Sequence, residues 1–429
     1  MRMRSRGLMD IIKRFLDYLL IAVLAGFVLL LVAYALPNEP IRSNIAASMS
    51  MFDSDLIYPQ WANGLTATSI DLWADAIVLQ EACAEGGGSI IQKALLNPKF
   101  NNPGSGLLPP QILSLYTMGS LDLSNCIYNY PRYWHGYLII VRPLLEIMTV
   151  GHIRVLNVTC QLVLFMYVCK LIDQKLGLIY IPPFFISWVV VNLFSAGLCF
   201  EYTFITYIAL IAMSYLLRNM EVLLENPSKQ AGIYDLLFLV GIATGYFDFL
   251  TYPLVGLGIP LCYWLIIRKP GLITGVKEII LISVSWVLGY GLMWSSKWVL
   301  ASVLTDANVL GDGLAQVLYR TSGPDTQSFS AGQVIMKNLQ LVGYKAFLII
   351  LIVIVLYYIK CLVKDGYRLK WCNNNLLFFV VAVMPFVWMA VVKNHCYVHS
   401  YMTHKILAVF FCACLCIVPS SMRKKEIDL

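Results

Sequence analysis

The chain has 429 residues, 59% of them hydrophobic and 13% charged, whereas a soluble domain carries about 45–50% apolar and about 25% charged residues. At a mean hydropathy of +0.73, too little polar surface is left to face water. A soluble enzyme, a disordered chain and a disulfide-stapled secreted module are excluded. The composition is that of an all-α polytopic membrane protein.

A bilayer span needs roughly 20 mostly apolar residues. Such runs recur about ten times, at 16–36, 152–171, 177–195, 199–217, 232–250, 252–267, 277–295, 342–362, 375–392 and 404–420. They are apolar all round, which predicts helices and not the alternating strands of a membrane barrel. The stretch 277–304 reads as one long span or as a span with an interfacial helix. Lys and Arg concentrate on the cytoplasmic side of membrane proteins. Placing residues 1–15 in the cytoplasm puts Arg2, Arg4, Arg6, Lys13 and Arg14 inside, and gathers 19 of the 31 basic residues in short inner segments. The net charge of +7 is then a topology signal, and no nucleic-acid partner is expected. The 16–36 run lacks a small-residue cleavage site and reads as an anchor.

The outer side is lopsided. A large loop (37–133) follows the first helix and a second (304–341) follows the seventh, both punctuated by Gly and Pro; loops of such length are usually functional. Residues 134–149 read as a short interfacial helix, and 421–429 as a cytoplasmic tail. One transmembrane domain covers 1–429, with no internal repeat. Most of the twelve cysteines fall within the apolar runs, where they pack as small apolar residues. Cys83 and Cys126 share the large loop and can pair in an oxidising compartment. No Cys/His spacing suggests zinc.

Charged or imidazole groups at the ends of apolar helices need a reason to be there. In the first loop lie Asp53, Asp55, Asp71 and Asp75. If 70–82 is helical, Asp71 and Asp75 share one face, where they can hold a divalent cation (Mg or Mn) or act as a general base with an electrostatic partner; the plain alternative is two solvated acids. Next come Arg132, Tyr133, Trp134, His135 and Tyr137, followed by Arg142. Basic groups among aromatics suit a sugar ring and a phosphate, or else an aromatic belt. Asp248 is the only charge between Asp235 and Arg268, and Glu201 stands at the preceding outer turn. In 393–405, Lys393, His395, His399 and Lys405 suit phosphate contact, and three of the five histidines fall there. Lys297, between Trp294 and Trp298, reads as an interfacial anchor. All of these fall on one side of the expected topology, and no phosphate-binding glycine loop marks the other.

The layout resembles the GT-C superfamily of integral-membrane glycosyltransferases. The segments RYWHGYLIIVRPLLEI, GYFDFLTYPLVGLGIPL, GYGLMWSSKWVL and NHCYVHSYMTHK resemble an uncharacterised bacterial branch of that group. The resemblance implies a cell-envelope enzyme of the bacterial plasma membrane. It implies a polyprenyl-(di)phosphate-linked sugar donor, a glycan or lipid acceptor, and inverting single displacement at the outer face. It also implies a first-loop acid as base, carried onto Asp71 or Asp75 with Asp53 and Asp55 as alternates. Arg132, His135, His399 and Lys405 would then stabilise the leaving phosphate, while Asp248 orients the acceptor or binds a cation. The competing readings are a polysaccharide polymerase or ligase and, from another class, a lipid-linked-sugar flippase or transporter. A transporter would place its charges near the bilayer midplane.

Overall fold

A computed structural model describes residues 2–52, 57–101, 106–120, 123, 126–225, 227–323 and 329–424. Asp53 and Asp55 lie outside these described residues. The described residues are mostly helical, with four three-residue strands, as expected where backbone amides must be satisfied without water.

Helix α1 (Arg2–Ala35) opens the chain. Helix α2 (Asn38–Ala46) comes next, and its Asn44 donates to the Leu145 carbonyl at 2.8 Å. The first loop is a built layer. It contains α3 (Leu72–Cys83), α4 (Ile90–Leu96), β1 (Pro98–Phe100), α5 (Pro109–Thr117) and β2 (Ile127–Asn129). The two strands pair antiparallel, with Lys99 opposite Tyr128. Ala76, Leu79 and Ala82 of α3 are fully buried in a core that also takes Leu30 and Tyr34 of α1 and Leu113 of α5. Cys83 and Cys126 are both free thiols. Helix α6 (Leu138–Ile147), with Pro143 inside it, leads to the long α7 (Val150–Leu176).

The bundle continues through α8 (Ile181–Val191), α9 (Leu193–Leu198), α10 (Phe200–Arg218), α11 (Met220–Glu225), α12 (Pro227–Phe247), α13 (Leu254–Arg268) and α14 (Leu272–Leu304). Asn192 takes a left-handed conformation that stops α8, and its side chain accepts the Ser195 N–H to start α9. Helices α12 and α14 touch backbone to backbone. A Cβ on Gly289 would stand 2.1 Å from the Phe238 carbonyl, and one on Gly241 2.2 Å from that of Trp286. Small residues at that spacing let apolar helices pack without a hydrophobic driving force.

The second loop carries α15 (Val309–Ser322) and α16 (Ala331–Val342). After them come α17 (Lys345–Val363), β3 (Tyr367–Leu369), α18 (Leu376–Val391), α19 (Lys393–Val398), α20 (Ser400–Thr403), α21 (Leu407–Ser421) and β4 (Met422–Lys424). Strands β3 and β4 pair antiparallel.

Among the described residues, seven helical stretches are long and apolar enough to cross a membrane: Met9–Ala35, Val150–Leu176, Phe200–Arg218, Leu272–Leu304, Lys345–Val363, Asn373–Val391 and Ser400–Ser421. Three shorter apolar helices, Leu178–Val191, Gly232–Phe247 and Leu254–Arg268, fill the remaining apolar runs. The architecture is that of an all-α integral membrane protein.

Candidate active site

Segments far apart in the chain converge on one cavity of about 200 Å³. The N-terminus of α3 brings Asp71, the first turn of α10 brings Glu201, the last turn of α15 brings Arg320, and α19 with its flank brings His395 and His399. Tyr130, Tyr133, Phe249 and Tyr401 are among the other residues that line it.

One pole of the cavity is acidic. Asp71 caps α3 by accepting the Ala74 N–H at 2.9 Å, the usual role of an aspartate at that position. Burial raises its carboxyl above the ordinary carboxylate range, while hydrogen bonds from the Ala74 N–H, Glu201 and Tyr401 pull the other way. Glu201 is the donor of this pair and Asp71 the acceptor. The second Glu201 oxygen is buried with no partner among the described residues. Two carboxyl groups joined by a hydrogen bond hold one proton between them.

The facing pole is basic. Arg320 donates to Tyr133 Oη at 2.6 Å and to His395 Nδ1 at 2.6 Å. His395 Nε2 then donates to the Leu250 carbonyl at 2.8 Å. That pairing fixes one neutral tautomer, and burial together with the Arg320 charge holds the ring's pKa well below the ordinary value. The His399 ring centre lies 4.7 Å from that of His395 with the two planes tilted by 42°, and the same two causes push it down to about 4. The net cation of this pole is thus the guanidinium.

The i, i+4 pair of the first loop divides into two different roles. Asp75 is fully buried. It binds Arg154 at 2.7 Å through one oxygen and accepts the Phe200 N–H at 2.8 Å through the other, tying α3 to α7 and to the start of α10. Burial raises it to about 6 against the pull of Arg154. A divalent cation between Asp71 and Asp75 does not fit, because both Asp75 oxygens are taken and a guanidinium occupies the neighbouring space.

Several other expected site residues hold the fold and do not line the cavity. Arg142 is buried and donates to the carbonyls of Ala33, Ala82 and Leu36, stapling α1 and α3 to α6. His135 is buried with positive φ, its ring nitrogens bonded to the Tyr130 carbonyl and to Tyr137, which in turn donates to Glu81. Arg132 pairs with Asp312 of α15 at 2.7 Å beside the cavity. Asp248 accepts the Thr251 N–H, closing the turn that presents the Leu250 carbonyl to His395. It positions the histidine and is absent from the cavity walls. Lys405 donates to the Val191 carbonyl at 2.7 Å, and Lys393 is absent from the walls. Lys297 is no surface anchor. It is fully buried and donates to the Ala94 carbonyl and to Asn97.

Arg320 and Tyr401 carry no motif, and sequence reading missed both. Their only signal is a cation and a phenol in segments flanked by apolar helices.

No family model, curated protein or solved structure matches this chain.

Proposed function

We propose that the protein is a membrane glycosyltransferase of the GT-C kind. It moves a sugar from a polyprenyl-(di)phosphate-linked donor to a glycan or lipid acceptor. The observation that carries this reading is the pairing, in one cavity, of a buried base (Asp71, backed by Glu201) with a guanidinium (Arg320) whose histidine neighbours are neutral. Base and anion holder are the two functions that displacement at a phosphate-linked anomeric carbon requires.

Asp71 takes the proton of the acceptor hydroxyl as its oxygen attacks the anomeric carbon. The bond from that carbon to the phosphate oxygen breaks, and its electron pair leaves with the phosphate. Arg320 stabilises the charge that develops there, held in aim by neutral His395 and by Tyr133. Attack from the face opposite the leaving group inverts the anomeric centre.

A ten-span topology supports the same reading. Adding the three shorter apolar helices to the seven long ones and alternating sides from a cytoplasmic N-terminus gives one consistent arrangement. The segments after α1, before α10, between α12 and α13, after α14, and between α18 and α21 then all fall outside. Those are the segments that build the cavity, and both termini fall in the cytoplasm. The test is transfer of radiolabelled sugar from polyprenyl-phosphate donors by purified protein in bilayers. Loss of transfer in Asp71→Asn and Arg320→Gln, with the fold kept, supports the proposal. Full activity in both variants refutes it.

A further inference from the structure

Helix α15 has two working faces. Toward the protein it sends Asp312 to Arg132, sets Gly313 against the Trp298 ring, where a Cβ would come within 2.6 Å, and puts Arg320 into the cavity. Toward the outside it shows Leu310, Leu314, Val317 and Leu318, with Leu314 55% and Leu318 67% exposed. At 100° per residue these four fall within a stripe roughly 100° wide, the width of an apolar face meant for burial. None of the four carries a polar group.

The depth of the helix says what covers that face. Trp298 lies within the last two turns of α14, where Val299, Val303 and Leu304 are also exposed. With 33 residues, α14 is about 50 Å long at 1.5 Å per residue. The hydrocarbon core is about 30 Å thick, and about 40–45 Å with the headgroup layers. With its first residue at the inner edge of the headgroup layer, Trp298 stands about 39 Å along the helix, within the outer headgroup layer, and α15 packs there by setting Gly313 against that ring. A helix of this pattern lies in the plane of the interface.

We propose that α15 is seated in the bilayer interface and that the lipid, through it, holds Arg320 over the cavity. The stripe's occupant is acyl chain. The cavity then closes on its phosphate only at a membrane surface, so substrate enters from the plane of the bilayer. This consequence rests on the glycosyl-transfer reading, but the seating itself does not, and it is measured without substrate.

The test places an environment-sensitive fluorescent amino acid at Leu318 by codon suppression, leaving the native cysteines alone. The protein is reconstituted in nanodiscs of phosphatidylethanolamine and phosphatidylglycerol, with and without a lipid bearing a nitroxide high on its acyl chain. The expected result is blue-shifted emission that loses intensity with the nitroxide lipid. Water-like emission would overturn the proposal. So would a blue shift untouched by the nitroxide, since that would mean protein, such as a second copy, covers the stripe. The Leu314→Glu/Leu318→Glu variant should raise amide exchange across 309–322 in nanodiscs while α14 stays protected. Unchanged exchange at α15 would also count against the seating. Failure of sugar transfer would leave each of these readouts as it was.

Discussion

Asp71 and Asp75, four residues apart, should behave oppositely when each is changed to its amide. In Asp75→Asn the amide can still accept the Phe200 N–H, but Arg154 keeps a buried charge with no counter-ion. Breaking a buried pair from one side costs about 3–5 kcal/mol. In Asp71→Asn the cap survives, because asparagine accepts the Ala74 N–H about as well as aspartate does, and the new amide can donate to Glu201. The expected change is roughly 0.5 kcal/mol or less, against about 1 kcal/mol for Asp71→Ala. Thermal unfolding of the purified variants in one detergent at one pH should therefore show a deep loss for Asp75→Asn and almost none for Asp71→Asn. The double variant Asp75→Leu/Arg154→Met removes both charges and should recover most of the loss, since an apolar replacement of a buried pair is often neutral. An Asp75→Asn protein as stable as wild type, or an equal loss in Asp71→Asn, would refute the division of roles.

Other contacts carry outcomes of their own. Arg320→Gln should weaken binding of a polyprenyl phosphate by about 10- to 150-fold, the equivalent of roughly 1.5–3 kcal/mol for hydrogen bonds to a charged group, measured on protein that still unfolds cooperatively; equal affinity by titration would remove Arg320 from the site. Arg142→Leu should destabilise by about 1–3 kcal/mol for each carbonyl stripped of its donor, read as poor recovery of folded protein. The acid limb of kcat/KM should lie above the ordinary carboxylate value, because burial raises Asp71. Glu201→Leu should move that limb to higher pH by removing a hydrogen bond to the carboxylate, whereas Glu201→Gln, still a donor, should leave it near the wild-type position. Burial raises Asp248 from 3.8 to about 6, so the fold favours its neutral form. Its contribution is complete below pH 3.8 and is lost as pH rises through 6. Asp248→Asn should flatten the unfolding temperature across that window.

The sequence was most readable where the bilayer sets the pattern. Apolar runs of spanning length show directly in composition, and seven of them are helices long enough to cross. The first loop was harder, because its core of Ala76, Leu79 and Ala82 is assembled against α1 and α5, contacts that no local period reveals. Among the site residues, spacing could say that Asp71 and Asp75 lie one turn apart. It could not say which of them meets Arg154, 79 residues on. Arg142 and His135 looked like ligands for the same reason. A buried guanidinium needs acceptors, and whether those are phosphate oxygens or the carbonyls of Ala33 and Ala82 is decided by tertiary packing alone. Arg320 was invisible because its meaning depends on α15 folding back onto Tyr133 and His395.

The central claim is that Asp71 and Arg320 act on one phosphate-linked sugar. It is tested most directly by single-turnover transfer in nanodiscs, with purified wild type, Asp71→Asn and Arg320→Gln presented with a radiolabelled polyprenyl-phosphate sugar and an acceptor. The account predicts transfer with inverted anomeric configuration in the wild type, donor binding without transfer in Asp71→Asn, and weakened donor binding in Arg320→Gln. Transfer at the wild-type rate by folded Asp71→Asn, or solute uptake without transfer by the wild type, would contradict it.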